Sequence, residues 1–173
     1  MHETFKEIIM KNLSIILTAL FLTFPAWAEA GDQDDVKAAI DRFWANVATR
    51  TPAPSGDNPA GVWQAASNGS LWNFQAPAER AAQTSSSPYT NKFQPSHINV
   101  RIMGSGQDVA HAVYYLVGTI SKDGESVINN YRTRVSQVFE KIEGKWLLSG
   151  AHFSPLYGGS GVPQDAFSSQ NKR

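Results

Sequence analysis

Residues 131–154, YRTRVSQVFEKIEGKWLLSGAHFS, restrict the fold more than any other stretch of the chain. Tyr131, Thr133, Val135 and Phe139 alternate with Arg132, Arg134, Ser136 and Glu140, which is the period of a strand buried on one face. Glu143-Gly144-Lys145 supplies a tight turn, because glycine takes positive φ without steric cost, and a second long strand follows. Such a hairpin is not stable alone in water and needs further strands or a helix against its apolar face.

The preceding residues supply the strands. From His97 to Met103, Ile98, Val100 and Ile102 alternate with His97, Asn99 and Arg101. Gly104-Ser105-Gly106 turns the chain, residues 109–121 form a long strand, and Lys122-Asp123-Gly124-Glu125 is a hairpin signal leading into the opening stretch. Consecutive strands joined by tight turns form an antiparallel meander. Residues 109–121 are apolar on both faces, with Ala110, Ala112, Tyr114, Leu116 and Ile120 on one and Val109, His111, Val113, Tyr115 and Val117 on the other. A sheet with one wet face alternates instead, so both faces are expected to be covered. A helix over residues 34–50 can cover one of them, because Val36, Ile40, Phe43, Trp44 and Val47 form a single stripe. A second copy of the chain is expected on the other, with Val113, Tyr115, Val117 and Leu148 at a homodimer interface. In the last strand, Trp146 and Leu148 are placed opposite Leu147 and Phe153. The plan is α+β.

Other segments are read more coarsely. Asp32, Asp34 and Asp35 are expected to complement the N-terminal end of the helix dipole, with Arg50 at the other end. Residues 51–61 form a loop, 62–66 a short helical turn, 71–74 a short strand, 78–83 a helix and 85–95 a proline-bounded connection. The domain is expected to span 29–156, followed by a flexible tail over 157–173.

Residues 1–28 are expected to be a signal peptide. Lys11 precedes an apolar run, LSIILTALFLTF, which Pro25 ends before a small-x-small site at Ala26-Trp27-Ala28. The run of about 12 residues is shorter than the roughly 20 that span a bilayer, so no stable membrane anchor is expected after cleavage. Met10 is an alternative start. The expected compartment is a bacterial periplasm or the exterior. Export permits disulfides, yet the chain has no cysteine, so thiol chemistry and cysteine metal sites are excluded. Acidic and basic residues number 15 each, and residues 1–28 carry two of each, so the remainder stays balanced. A neutral chain gives no electrostatic reason to bind nucleic acid.

Pro95-Ser96-His97-Ile98-Asn99-Val100 with Gly104, Asp108-Val109-Ala110, Gly144-Lys145-Trp146 and His152-Phe153-Ser154 together resemble the nuclear transport factor 2-like superfamily. The resemblance is greatest to the association (hub) domain of calcium/calmodulin-dependent kinase and to bacterial SnoaL-like stand-alone relatives. It implies a cone-shaped, strongly bent antiparallel sheet packed on N-terminal helices, a pocket at its open end, and homodimers or larger homo-oligomers. The kinase hub carries arginines at inward positions that read Leu116, Gln137 and Phe153 here. A more apolar ligand pocket is therefore expected, drawn from Tyr114, Leu116, Tyr131, Gln137, His152 and Phe153.

Enzymes of this fold use an inward Asp or His as a general base. Strand interiors here hold no Asp or Glu, and beyond residue 28 the histidines are His97, His111 and His152, none at metal-ligand spacing. No metal and no cofactor are expected. The leading reading is a non-catalytic module for a small apolar ligand or for assembly. The alternative is an isomerase, dehydratase or cyclase with His152 as base; the plainer role for His152 is a hydrogen bond near the strand end, with Ser154 as partner.

Overall fold

The computed structural model describes residues 24–51 and 56–162, with side chains from residue 31 onward. The expected signal peptide lies largely outside the described residues, as does the C-terminal segment from 163. Helix α1 (Phe24–Thr49) is followed by β1 (Val62–Ala65), β2 (Asn73–Gln75), α2 (Pro77–Ser86), β3 (Tyr89–Met103), β4 (Val109–Lys122), β5 (Glu125–Ile142) and β6 (Lys145–Pro155). The six strands form one sheet in the order β2-β1-β6-β5-β4-β3. The sheet and α2 belong to a compact unit that begins at Gln33.

The meander forms as its alternation dictates. Asp123 and Gly124, and likewise Glu143 and Gly144, all take positive φ, so both hairpins close through two-residue turns matched to strand twist. Ala110, Ala112, Tyr114, Leu116 and Ile120 of β4 are buried, as are Tyr131, Val135 and Phe139 of β5. Val36, Ile40 and Trp44 of α1 join them in one core. The opposite face leaves Val113, Tyr115 and Val117 exposed at 42%, 45% and 36%.

Five expectations change. The sheet is mixed, because β1 runs parallel to β6 while the other pairings are antiparallel. Residues 62–65 form that strand and no helical turn: Val62 is fully buried while Trp63 is over half exposed, a strand's alternation. The connection expected over 85–95 is mostly strand, since β3 starts at Tyr89 and carries Pro95 through. An edge strand tolerates a residue that cannot donate to the ladder. The acids sit inside α1, which begins at Phe24, so they do not cap it; Asp34 instead pairs with Lys37 at 2.9 Å on the exposed surface. Leu148 is buried in the core beside Trp146, and Phe153 packs on the same side. The cause is a bulge at Ser149: Phe139 pairs with Leu148 while Val138 pairs with Gly150, which reverses the alternation. Leu148 therefore leaves the set of exposed interface candidates.

Residues 157–162, within the expected tail, are tied to the sheet. Leu156 N–H donates to Arg132 O, Arg132 N–H to Ser160 O, and Ser160 N–H to Asn130 O.

Gly118 shapes the inner face. It lies in register with Phe93 on one side and Tyr131 on the other, and those rings stack across it with centroids 4.2 Å apart. A Cβ at Gly118 would lie 2.0 Å from Lys92 O and 2.9 Å from Phe93 Cδ1. Backbone cannot yield as a flexible side chain does, so Gly118→Ala is expected to cost at least about 1–3 kcal/mol and to part β3 from β4 locally. Urea denaturation with hydrogen exchange on β3 amides checks this; a loss below 0.5 kcal/mol (roughly the scatter of neutral surface changes) would sink it.

Candidate functional site

A cavity of about 160 Å³ opens between α1, α2 and the inner face of the sheet. Six aromatic side chains wall it: Phe43 and Trp44 from α1, Tyr89 and Phe93 from β3, Tyr131 from β5 and Phe153 from β6. Their placement follows from local structure. Phe43 and Trp44 lie on the apolar stripe of α1, and the strand aromatics occupy inward positions. Trp44 meets Phe43, Phe93 and Phe153 edge to face at 4.8, 5.5 and 6.0 Å, a geometry that rings favour over face-to-face sandwiches.

The polar wall comes from residues 64–91. Arg80, on α2, donates from Nε to Asp57 Oδ2 at 2.8 Å and from Nη1 to Gln64 Oε1 at 2.7 Å and Gln75 Oε1 at 3.4 Å. Gln75 Nε2 donates to Gln83 Oε1 at 2.8 Å. Pro77 opens α2, and Glu79 accepts from the Ala76 N–H at 3.2 Å, which fixes the first turn and the direction of Arg80 one residue on. Asp57 is held beside β6, where Asn58 N–H donates to Leu148 O and Asn58 Nδ2 to Ser149 Oγ.

Arg50 completes this wall. It ends α1 with φ of 55°, a region that glycine usually occupies. Arg50 N–H donates to Val47 O and Thr51 N–H to Asn46 O, the paired bonds of a Schellman cap. The cap turns the arginine toward β3, and its Nε donates to Tyr89 O at 3.1 Å.

Beneath the cavity, Trp44 Nε1 donates to Tyr114 Oη at 2.9 Å and Tyr114 Oη donates to Gln137 Oε1 at 2.9 Å. Tyr131 Oη shares a hydrogen bond with Ser67 Oγ, which also accepts from Val162 N–H, so the C-terminal segment closes one side. Burial pushes the phenols of Tyr114 and Tyr131 above the ordinary value of 10.0. Below pH 10 both are neutral in the folded and unfolded chain and contribute no pH dependence. Above it the unfolded chain releases protons that the folded chain retains, so stability falls as pH rises. Each phenol is expected to contribute about 1.4 kcal/mol of loss per pH unit above 10. Absorbance at 295 nm should find that Tyr114 and Tyr131 ionise only on unfolding. Ionisation of either in the folded protein near pH 11 would contradict this.

Of the six side chains expected from the sequence, the cavity takes Tyr131 and Phe153. Tyr114, Leu116 and Gln137 are buried in the core below the lining. His152 is exposed on the outer face, where the Ser149 bulge and the strand alternation direct it, and its ring lies 5.7 Å from that of Trp72. His111 and Ser136 share a hydrogen bond of 2.8 Å between neighbouring strands, and His97 meets Tyr115 edge to face at 5.8 Å. Among the described residues, the cavity lining contains no Asp, Glu or His. Sequence reasoning missed the aromatic walls Phe43, Trp44, Tyr89 and Phe93 as lining residues, and on the polar side Arg50, Gln64, Gln75 and Arg80. For the polar side the one available signal was Arg80 inside a short helix opened by proline.

An α+β sheet of this order, with a cavity between its concave face and the helices, is the nuclear transport factor 2-like fold. An NTF2-like protein from Cytophaga hutchinsonii superposes with a TM-score of 0.58 at 11% identity, covering 71% of this chain and 97% of that one. The association domain of C. elegans CaMKII gives 0.54 at 16% identity over 73% and 98% of the two chains. A candidate dehydratase of the NTF2-like family from Streptomyces avermitilis gives 0.58 at 18% identity over 73% and 97%. No protein-family model and no curated protein matches the sequence.

Proposed function

We propose that the chain is an exported, homo-oligomeric binding module whose cavity holds a small, largely apolar ligand. The observation that carries this reading is the cavity itself. Its six aromatic walls enclose about 160 Å³, and an apolar cavity of about 150 Å³ is enough to hold benzene. Its lining offers no Asp, Glu or His among the described residues, so acid–base catalysis lacks its commonest groups there. His152, the one candidate base, faces away from it. Export is supported by the apolar run and Ala26-Trp27-Ala28 site near the N-terminus. Assembly is supported by Val113, Tyr115 and Val117, which leave an apolar strip on the outer face of a central strand.

Native mass spectrometry of protein recovered from the periplasm tests these parts together. The expected result is a chain starting at Glu29, at least dimeric, with a small co-purifying mass that acid releases. A chain that retains residues 1–28 would refute export. A monomer at micromolar concentration would refute assembly. Failure to bind any single-ring compound would refute the binding reading.

A further inference from the structure

We infer that the ligand is an anion: a single-ring or similarly compact apolar body bearing one carboxylate, which Arg50 and Arg80 receive at the polar wall. The inference rests on the binding reading above and specifies its ligand class.

The electrostatics of the lining point one way. Arg50 and Arg80 both line the cavity, and the lining holds no carboxylate among the described residues. Asp57 offsets Arg80, but it lines a separate cleft of about 60 Å³ and is absent from the main lining. It engages Nε, and the glutamines engage Nη1. Nη2 makes no hydrogen bond among the described residues, so its two N–H groups are uncommitted while Nε and Nη1 are held. Arg50 has no carboxylate partner among the described residues and commits only Nε, to Tyr89 O. A guanidinium is matched in geometry and charge to a carboxylate, and at the Arg80 side chain, 12% exposed, the contact is stronger than between exposed groups; Arg50 adds its charge from the exposed rim.

The cap of α1 supports the same conclusion independently. Position 50 is left-handed, where glycine carries no steric penalty and a β-carbon does. The chain places there a side chain that reaches the cavity. Strained non-glycine residues of this kind gather at ligand sites. The neighbouring groups also fit a ligand with a polar end. Gln64 and Gln75 are spent on Arg80, which holds the guanidinium plane fixed before anything binds.

The test is titration calorimetry of the full chain with benzoate, benzamide and toluene, three single-ring probes that differ in charge and hydrogen bonding. Benzoate is expected to bind about 10-fold or more tightly than benzamide, a typical worth for hydrogen bonds to a charged group. Arg50→Gly is expected to lower benzoate affinity about 10-fold and toluene affinity by clearly less, so that the benzoate-to-toluene ratio falls; glycine suits the cap, which offsets the lost bond to Tyr89 O. Arg80→Gln is expected to weaken benzoate in the same way. Should that variant fail to fold with Asp57 left unpaired, Arg50→Gly decides alone. Equal affinity for benzoate and benzamide, or benzoate binding untouched by Arg50→Gly, overturns the anion inference and leaves the binding reading standing. Binding of none of the three overturns both.

Discussion

Asp57→Ala is expected to lower stability by about 3–5 kcal/mol, although it deletes few atoms. Asp57 is 7% exposed and the Arg80 side chain 12%, and their ion pair at 2.8 Å is away from bulk water. Removing the carboxylate leaves a buried guanidinium with only neutral amide acceptors, Gln64 and Gln75. The loss then reflects a desolvated charge without a counter-charge more than one missing contact. The pair also joins α2 to the loop fixed on β6, so the second effect is a looser polar wall. The double variant Asp57→Ala/Arg80→Gln removes both charges together. Its loss is expected to fall short of the summed single losses by about 1–3 kcal/mol. Urea denaturation of the four proteins measures the coupling, and strict additivity would mean that the pair contributes nothing jointly.

Trp44→Ala is expected to cost about 3–5 kcal/mol, for a different reason. Trp44 is 6% exposed and is the one side chain in edge contact with Phe43, Phe93 and Phe153 together. Its removal takes away that packing and merges the vacated space with the existing cavity. Trp44→Phe separates the contributions. It keeps a ring but loses the N–H that Tyr114 accepts, so it is expected to cost about 1–2 kcal/mol. If the two variants were equally destabilised, the hydrogen bond and not the packing would dominate. Enlargement has its own readout. The alanine variant is expected to gain thermal protection from two-ring compounds that leave the parent chain unaffected. The absence of any such gain, with the variant folded, would place Trp44 outside the cavity wall.

Both variants act through residues that differ in how readily sequence exposes them. Trp44 is on an apolar stripe with Val36, Ile40 and Val47, and a helix buries whatever lies on such a stripe. Asp57 lies within a loop sequence that has three prolines, and Arg80 lies in a short helix without any buried residue. Neither belongs to a periodic pattern. Their meeting depends on where β1 docks, and β1 is a four-residue strand whose parallel partner is more than 80 residues away. Nothing local encodes that pairing. The same holds for Arg50: its position at the helix end is readable, while the aim of its side chain into a cavity is not.

Strand interiors and turns of the meander were determined by the sequence alone. Period-two alternation assigns Tyr114, Leu116, Tyr131 and Phe139 to the buried side, and Asp123-Gly124 and Glu143-Gly144 set their turns through positive φ; both are properties of adjacent residues. Only the tertiary structure decided the side on which β6 presents Leu148, because a single extra residue at Ser149 reverses the alternation and a bulge is defined by its partner strand. The Ser149 bulge thus carried Leu148 into the core. Tertiary structure alone also assembled the polar wall and the Asp57 that pairs with it, since Arg50, Asp57, Gln64, Gln75 and Arg80 come from five separate segments that converge only when helix, loop and edge strands dock on the sheet.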